Sequence, residues 1–319
     1  MKQKIIIISA IFLLLTLVVF MVKDFFFSKP ESRNPYEFEL NTVRTGDTSM
    51  AAYTETGQIK PSLEEIHGLA IDASGNIYVA GKGGVEIFDA SGKVEAKFKI
   101  NDTAQSIAIS ENGNILLGIR DHIEIWNNQG KQLSKWTSFG SEAVITSIAV
   151  KGNDVFIADA GQKVVYRCDL KGNLTNKIGL KDPATGVPGF IIPSPYFDLG
   201  ISKDGNLWVV NPGRHSFEKY NFEGKLLTSW SKASMAMEGF CGCCNPSNFT
   251  FLNDSIFITS EKGIERVKIY NTDGTFLAIV ATPDQFEEGT TGLDLAVDNQ
   301  NRILVLDPAK KLVRIFEPK

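Results

Sequence analysis

The chain has 319 residues, a formal net charge of −4 at pH 7 and 43% hydrophobic residues, so it is long and apolar enough for one large core without metals or cross-links. Its 33 Lys and Arg are scattered without a basic stripe, which disfavours nucleic acid as a partner. Four cysteines are too few for a disulfide scaffold.

Residues 5–22 form an uncharged apolar run, with Lys2 and Lys4 before it and Lys23 after it. At helical rise such a run extends roughly 27 Å, close to the hydrocarbon thickness of a bilayer. The residues that follow are Lys23-Asp24-Phe25-Phe26-Phe27, with no small-x-small cleavage site and no lipobox cysteine. The reading is an uncleaved signal anchor, a single transmembrane helix within residues 1–24. Lys2 and Lys4 would hold the N-terminus in the cytoplasm and send the rest to the periplasm or cell surface. Residues 25–35, rich in Ser, Pro and charge, read as a linker.

From residue 66 to 316 one phrase recurs about six times, typified by GLAIDASGNIYVAGKGGVEIFDASGK at residues 68–93. Further copies fall at 106–131, 147–173, 198–225, 248–275 and 294–317. Each holds three short apolar runs separated by Asp/Asn and Gly turn chemistry, and most are followed by a more polar fourth run. Self-similarity at about 40–50 residues with several strands per copy predicts an all-β, six-bladed β-propeller. Small residues recur at one point of the first run (Ala70, Ala108, Ala149, Gly200, Thr250, Ala296), as innermost strands crowding an axis require. The sixth copy stops after its third run. The segment 36–60 is therefore expected to supply the missing outer strand, making residues 36–319 one ring without an open edge.

The repeated Gly-(Ile/Leu)-Ala-(Val/Ile)-Asp, then Gly-Asn-(Ile/Leu)-Tyr-Val-Ala, then Val-x-x-Phe-x-x-x-Gly-Lys resembles the NHL-repeat family of six-bladed propellers, over roughly residues 59–319. The Asn-His-Leu trio that names the family is eroded, with Asn211 and His215 its nearest remnant. Segments such as Gly239-Phe-Cys-Gly-Cys-Cys-Asn-Pro246 are similar to a bacterial, membrane-bound subset. The resemblance implies either an interaction module or one of the family's lyase, gluconolactonase-like or strictosidine-synthase-like enzymes.

In a propeller, loops before first strands and loops between second and third strands share one face. That geometry places His67, His122, His215, Asn211 and Glu261, together with Cys241, Cys243 and Cys244, on one candidate binding face. The cysteine cluster allows three readings: a disulfide within the loop, a Zn²⁺ or Cu⁺ site, or a free reactive thiol. Redox or copper handling would follow from the last two. Gly68, Ser106, Ser147, Asp198, Asn248 and Asp294 occupy equivalent repeat positions. Asp198, Asn248 and Asp294 could converge on Ca²⁺, or simply fasten strand starts. Asp159, Asn211, Glu261 and Asp307 end second strands, where the resemblance implies that they brace the following loop. The three histidines come from unlike positions, which argues against a shared metal site. The insertion 179–196, with Phe190, Ile191 and Ile192, reads as a lid, a docking surface or filler. No Gly-x-Ser-x-Gly elbow and no phosphate-binding glycine loop occurs.

The sequence thus points to a membrane-tethered, extracytoplasmic propeller that binds a small molecule or protein. A metal-dependent lyase or hydrolase on the cysteine-bearing face is the alternative.

Overall fold

The structure, a computed structural model, describes residues 2–27 and 50–319; within the first stretch, side chains are described at Ser9 and residues 11–23. The expected linker beyond Phe27, and residues 36–49 of the expected closing segment, lie outside the described residues. The chain divides into two units, Met1–Thr42 and Val43–Lys319.

The first unit holds an α-helix, Lys2–Phe27. Its described side chains at residues 11–23 are exposed and would rise only about 20 Å. Among the described residues, no helix is long and apolar enough to cross a membrane.

In the second unit the described residues form six four-stranded sheets, each an antiparallel meander. Blades one to five run over residues 65–98, 104–135, 145–178, 199–231 and 248–281; blade six combines 295–318 with a strand from the other end of the chain. The turn chemistry explains the repeat. Asp89 Oδ1 accepts from the backbone N–H of Ser91 at 2.8 Å and of Lys93 at 3.0 Å, and Asp169 and Asn127 hold their turns in the same way. Such side-chain closure sets the hairpin locally, before any tertiary contact forms.

Second strands such as Ile115–Ile119, Leu207–Asn211 and Ile303–Asp307 are buried at every residue, because neighbouring blades cover both faces. Outer strands such as Gln132–Lys135 are exposed throughout. The outer edges of blades one to four each send one large apolar residue under the third hairpin of the next blade. Phe98 lies under Gly130, Trp136 under Gly172, Ile178 under Gly224 and Trp230 under Gly274. At Gly172, with φ +85°, a Cβ would lie 2.7 Å from the Trp136 ring. Gly172→Ala should therefore cost about 2–4 kcal/mol, from left-handed backbone strain plus displacement of the indole. An unchanged urea midpoint would show that Trp136 is not seated in this slot.

The seam follows the same rule. Strand Tyr53–Ile59 pairs antiparallel with Leu312–Pro318 and completes blade six. Ile59 fills the slot under Gly92 of blade one, as an ordinary outer-strand residue would. Arg314 is paired through both Nε and Nη2 with Glu55 of the seam strand, and its guanidinium stacks 4.8 Å over Phe286. The Lys319 N–H donates to Ala52 O at 2.9 Å, and Ala52 in turn donates to Ile279 O of blade five at 3.0 Å.

Candidate functional site

First strands converge on the axis and leave a cavity of about 730 Å³, to which all six blades contribute. Three of its lining residues are the aligned polar residues Asp198, Asn248 and Asp294. Asp198 accepts through Oδ1 from Leu199 N–H and through Oδ2 from Phe249 N–H of the next blade, both at 2.8 Å. Asp294 repeats the pattern: Oδ1 accepts from Leu295 N–H at 2.9 Å and Oδ2 from Leu69 N–H of blade one at 2.8 Å. Each carboxylate thus fastens two adjacent first strands. Asn248 Oδ1 and Ser106 Oγ are buried without a hydrogen-bond partner among the described residues.

Burial pushes both carboxyls up, against the backbone N–H bonds that favour the charged form. Asp198 rises to about 6, with Ser147 and the Phe249 and Leu199 amides opposing the rise. Asp294 rises to about 7, where the charge of Asp198 adds to burial. Two such groups in one cavity hold a proton near neutral pH and present both donor and acceptor capacity.

The cavity wall also carries His67, Arg120, Tyr196, Thr291 and Pro308. His67 Nε2 lies 3.3 Å from Glu65 Oε2, but without hydrogen-bond geometry. The insertion 179–196 forms part of this wall. Phe190 and Ile192 are buried in the core, Phe190 packing 4.8 Å from Phe197, while Ile191 stays exposed and Pro195 and Tyr196 line the cavity.

The other expected face residues do not join them. His122 turns toward blade one, within a group containing Asp102 and Glu124. His215 sits in a left-handed turn, φ 52°, with Nδ1 3.0 Å from Asn245 O. The three histidines are therefore spread over separate surroundings. Asn211 and Glu261 do not present side chains to a face, because both are buried. Asn211 braces the insertion, accepting from Ile191 N–H at 2.9 Å and donating to Gly189 O at 3.1 Å. Asp159 does the same locally, accepting from the Val144, Gly161 and Gln162 amides. Asp307 Oδ1 accepts from Lys310 N–H at 3.2 Å.

Glu261 is the centre of a buried ion cluster. Its carboxylate meets Arg266 Nη2 at 2.9 Å, Arg266 Nε at 3.1 Å and Lys268 Nζ at 2.6 Å. The cysteine loop lies against this cluster. Lys268 Nζ donates to Gly239 O at 2.6 Å and stacks 4.7 Å over Phe240, and Arg266 Nη2 reaches Cys241 Sγ at 3.8 Å. Gly242, at φ +73°, reverses the chain, so Cys241 points inward while Cys243 is exposed. The three thiols do not converge as one ligand set, because the turn separates Cys241 from the other two.

All four cysteines are free, with Cys243 Sγ and Cys244 Sγ 3.0 Å apart. Burial pushes Cys244 up, but neighbouring Ser194, Cys243 and Lys262 outweigh it and hold its thiol below the ordinary range, although Ser194 Oγ completes no hydrogen bond. Burial pushes Cys168 up to about 12. Native protein treated with iodoacetamide should therefore be modified at exposed Cys243, leaving the buried Cys168, Cys241 and Cys244 intact until urea is added. Peptide mapping that finds Cys168 modified without denaturant would contradict this burial.

Of the groupings expected from the sequence, Asp198, Asn248 and Asp294 do line one cavity, whereas the three thiols and the three histidines are not brought together. Arg120, Tyr196 and the Arg266–Lys268 pair were not singled out. Arg120 alone carried a usable signal, since it ends a second strand in the repeat alignment.

No protein-family model matches the chain, and no curated protein matches it in sequence. Solved structures do match in shape. A streptogramin B lyase structure is 12% identical, covers 84% of this chain and 98% of its own, and gives a TM-score of 0.58. Virginiamycin B lyase from Staphylococcus aureus is 10% identical, with 84% and 100% covered and a TM-score of 0.56. A protein of unknown function from Bacteroides thetaiotaomicron is 12% identical, with 84% and 72% covered and a TM-score of 0.61. At these identities the likeness shows the six-bladed fold.

Proposed function

We propose that the chain is a membrane-anchored, extracytoplasmic binding propeller whose ligand, a small molecule or a protein segment, occupies the axial cavity. The observation that carries this reading is the cavity itself: about 730 Å³, walled by six blades. That volume falls within the range of small-molecule sites. A few converging polar groups stand in an otherwise mixed wall. The ligand should carry a hydrogen-bond donor or an amine, since Asp198 and Asp294 face the same space.

The anchor is supported by the charge-free run at residues 5–22 beside Lys2 and Lys4. Membrane fractionation tests it, and release by a carbonate wash would remove the anchor from the reading. Function is tested by crosslinking on intact membranes followed by capture of the chain. A retained partner or small molecule that is lost in an Asp198→Asn, Asp294→Asn double variant supports axial binding. Nothing retained on the intact face would count decisively against it.

A second reading rests on Asp294, whose carboxyl titrates near pH 7 and so suits proton transfer. Two of the shape neighbours, the streptogramin B lyase and virginiamycin B lyase, are lyases on the same fold. Turnover that vanishes in Asp294→Ala would favour an enzyme. Loss of binding in that variant, with no turnover of the captured molecule by the native chain, would favour the binding propeller. Calcium at Asp198, Asn248 and Asp294, and redox or copper handling by the loop carrying Cys241, Cys243 and Cys244, are alternatives separate from this reading.

A further inference from the structure

His122 and Glu124 are alternate residues of the third strand of blade two, His122–Trp126, and so point to the same side of it. Asp102, on the crossing from blade one to blade two, meets them there. One ligand atom from each lies within 4.8 Å of the other two. We infer that Asp102, His122 and Glu124 form a binding site for a divalent first-row cation such as Zn²⁺, separate from both the axial cavity and the cysteine loop.

The imidazole is already oriented for the task. His122 Nδ1 lies 2.8 Å from Asp121 Oδ1, and Asp121 is held in turn by the Ser138 hydroxyl at 2.6 Å. The His122 contact keeps the Asp121 carboxyl below its usual range. With Nδ1–H given to Asp121, the lone pair on Nε2 faces Glu124 Oε1 at 3.5 Å. Lone pair against carboxylate is repulsive unless a positive charge lies between them. Two donors each about 2.0–2.1 Å from a tetrahedral ion stand roughly 3.4 Å apart, so the spacing fits a metal edge. A carboxylate behind the imidazole is the arrangement that orients histidine ligands and raises their basicity.

Glu124 is prepared likewise. Trp126 Nε1–H donates to Oε2 at 3.1 Å, which leaves Oε1 on the ligand side. His122 and Glu124 are buried, whereas Asp102 is exposed. A three-ligand site open on that side would complete its coordination with water. Two carboxylates and one imidazole suit Zn²⁺ or Mn²⁺ over a soft monovalent ion. The competing charge is Lys135 Nζ, 3.4 Å from Glu124 Oε1; its side chain is 54% exposed and free to swing into solvent.

The test is Zn²⁺ titration of the chelator-stripped full chain by calorimetry, with metal content by mass spectrometry. A Cys241→Ser, Cys243→Ser, Cys244→Ser variant should still take up one Zn²⁺ per chain. Asp102→Asn, an exposed change that spares the fold, and Asp121→Asn should each weaken binding at least ten-fold. His122→Gln should abolish it. Uptake lost with the cysteines, or unchanged in both Asp102→Asn and His122→Gln, would overturn the site. So would an absence of Zn²⁺ binding.

Discussion

Replacing Glu261 with alanine should lower the melting temperature of the propeller by roughly 6–20 °C. The carboxylate is fully buried and is the shared partner of two buried cations, Arg266 and Lys268. Removing one member of a buried ion cluster costs about 3–5 kcal/mol, because the remaining charge keeps its desolvation penalty. For a domain of this size each kcal/mol moves the midpoint by roughly 2–4 °C. The two cations respond differently. Lys268, already pushed down to about 8 by burial, can shed its proton. Arg266 cannot, so the cost of the variant falls mainly on the guanidinium. Because the variant's Lys268 is neutral when folded and charged when unfolded, its stability should recover in part as pH rises toward 10. A melting temperature within 2–3 °C of the parent (about 1 kcal/mol at this size) would mean that water reaches the cluster and the burial is not real.

The axial carboxyls should make stability fall as pH rises from about 4 to about 7. In an unfolded chain both lose their protons near pH 4. In the folded protein Asp198 keeps its proton to about 6 and Asp294 to about 7. Within that window the folded state binds more protons than the unfolded one, so each rise in pH favours unfolding. The contribution is complete below pH 4 and lost above about 7. For Asp294 the rise from 3.8 to about 7 amounts to roughly 4 kcal/mol, at about 1.4 kcal/mol per pH unit. Other carboxylates titrate too, so the useful quantity is the difference between the parent and Asp294→Asn. That difference should decline by several kcal/mol, on the order of 4, between pH 4 and pH 8 in urea denaturation. A flat difference would show that Asp294 titrates as an ordinary carboxyl. Millimolar Ca²⁺ that flattens the parent's own curve would favour a cation held by Asp198, Asn248 and Asp294.

The ring was readable from sequence because its information is local. Asp72, Asp89, Asp169 and their equivalents close turns through their own side chains, so every copy of the phrase carries its hairpins with it. The axial polar residues were readable for a related reason: equivalent repeat positions must lie on one circle. What could not be read is the charge buried on third strands. Glu86, Glu124, Glu218, Lys268 and Arg314 alternate with apolar neighbours, the pattern of a strand with one wet face. In the propeller the segment entering the blade folds over that face, as Ser62 does on Glu86, Gly239 on Lys268 and Gln285 on Arg314, and all five are buried. Periodicity reports which residues share a side; it does not report what is laid over that side. The cysteine loop failed similarly, since one left-handed turn at Gly242 decides which thiol faces inward.

The seam has a consequence for how the chain is made. Strand Tyr53–Ile59 leaves the ribosome about 250 residues before its partner Leu312–Pro318. The ring therefore cannot close until that later strand has emerged. The early strand must wait through that interval with its backbone N–H and C=O groups unpaired, at ordinary rates on the order of 10–60 s. Its composition suits that wait. Tyr-Thr-Glu-Thr-Gly-Gln-Ile alternates half-buried and exposed residues and carries a charge, a glycine and no continuous apolar run. An exposed strand of that kind is a poor template for pairing with a second unfinished chain.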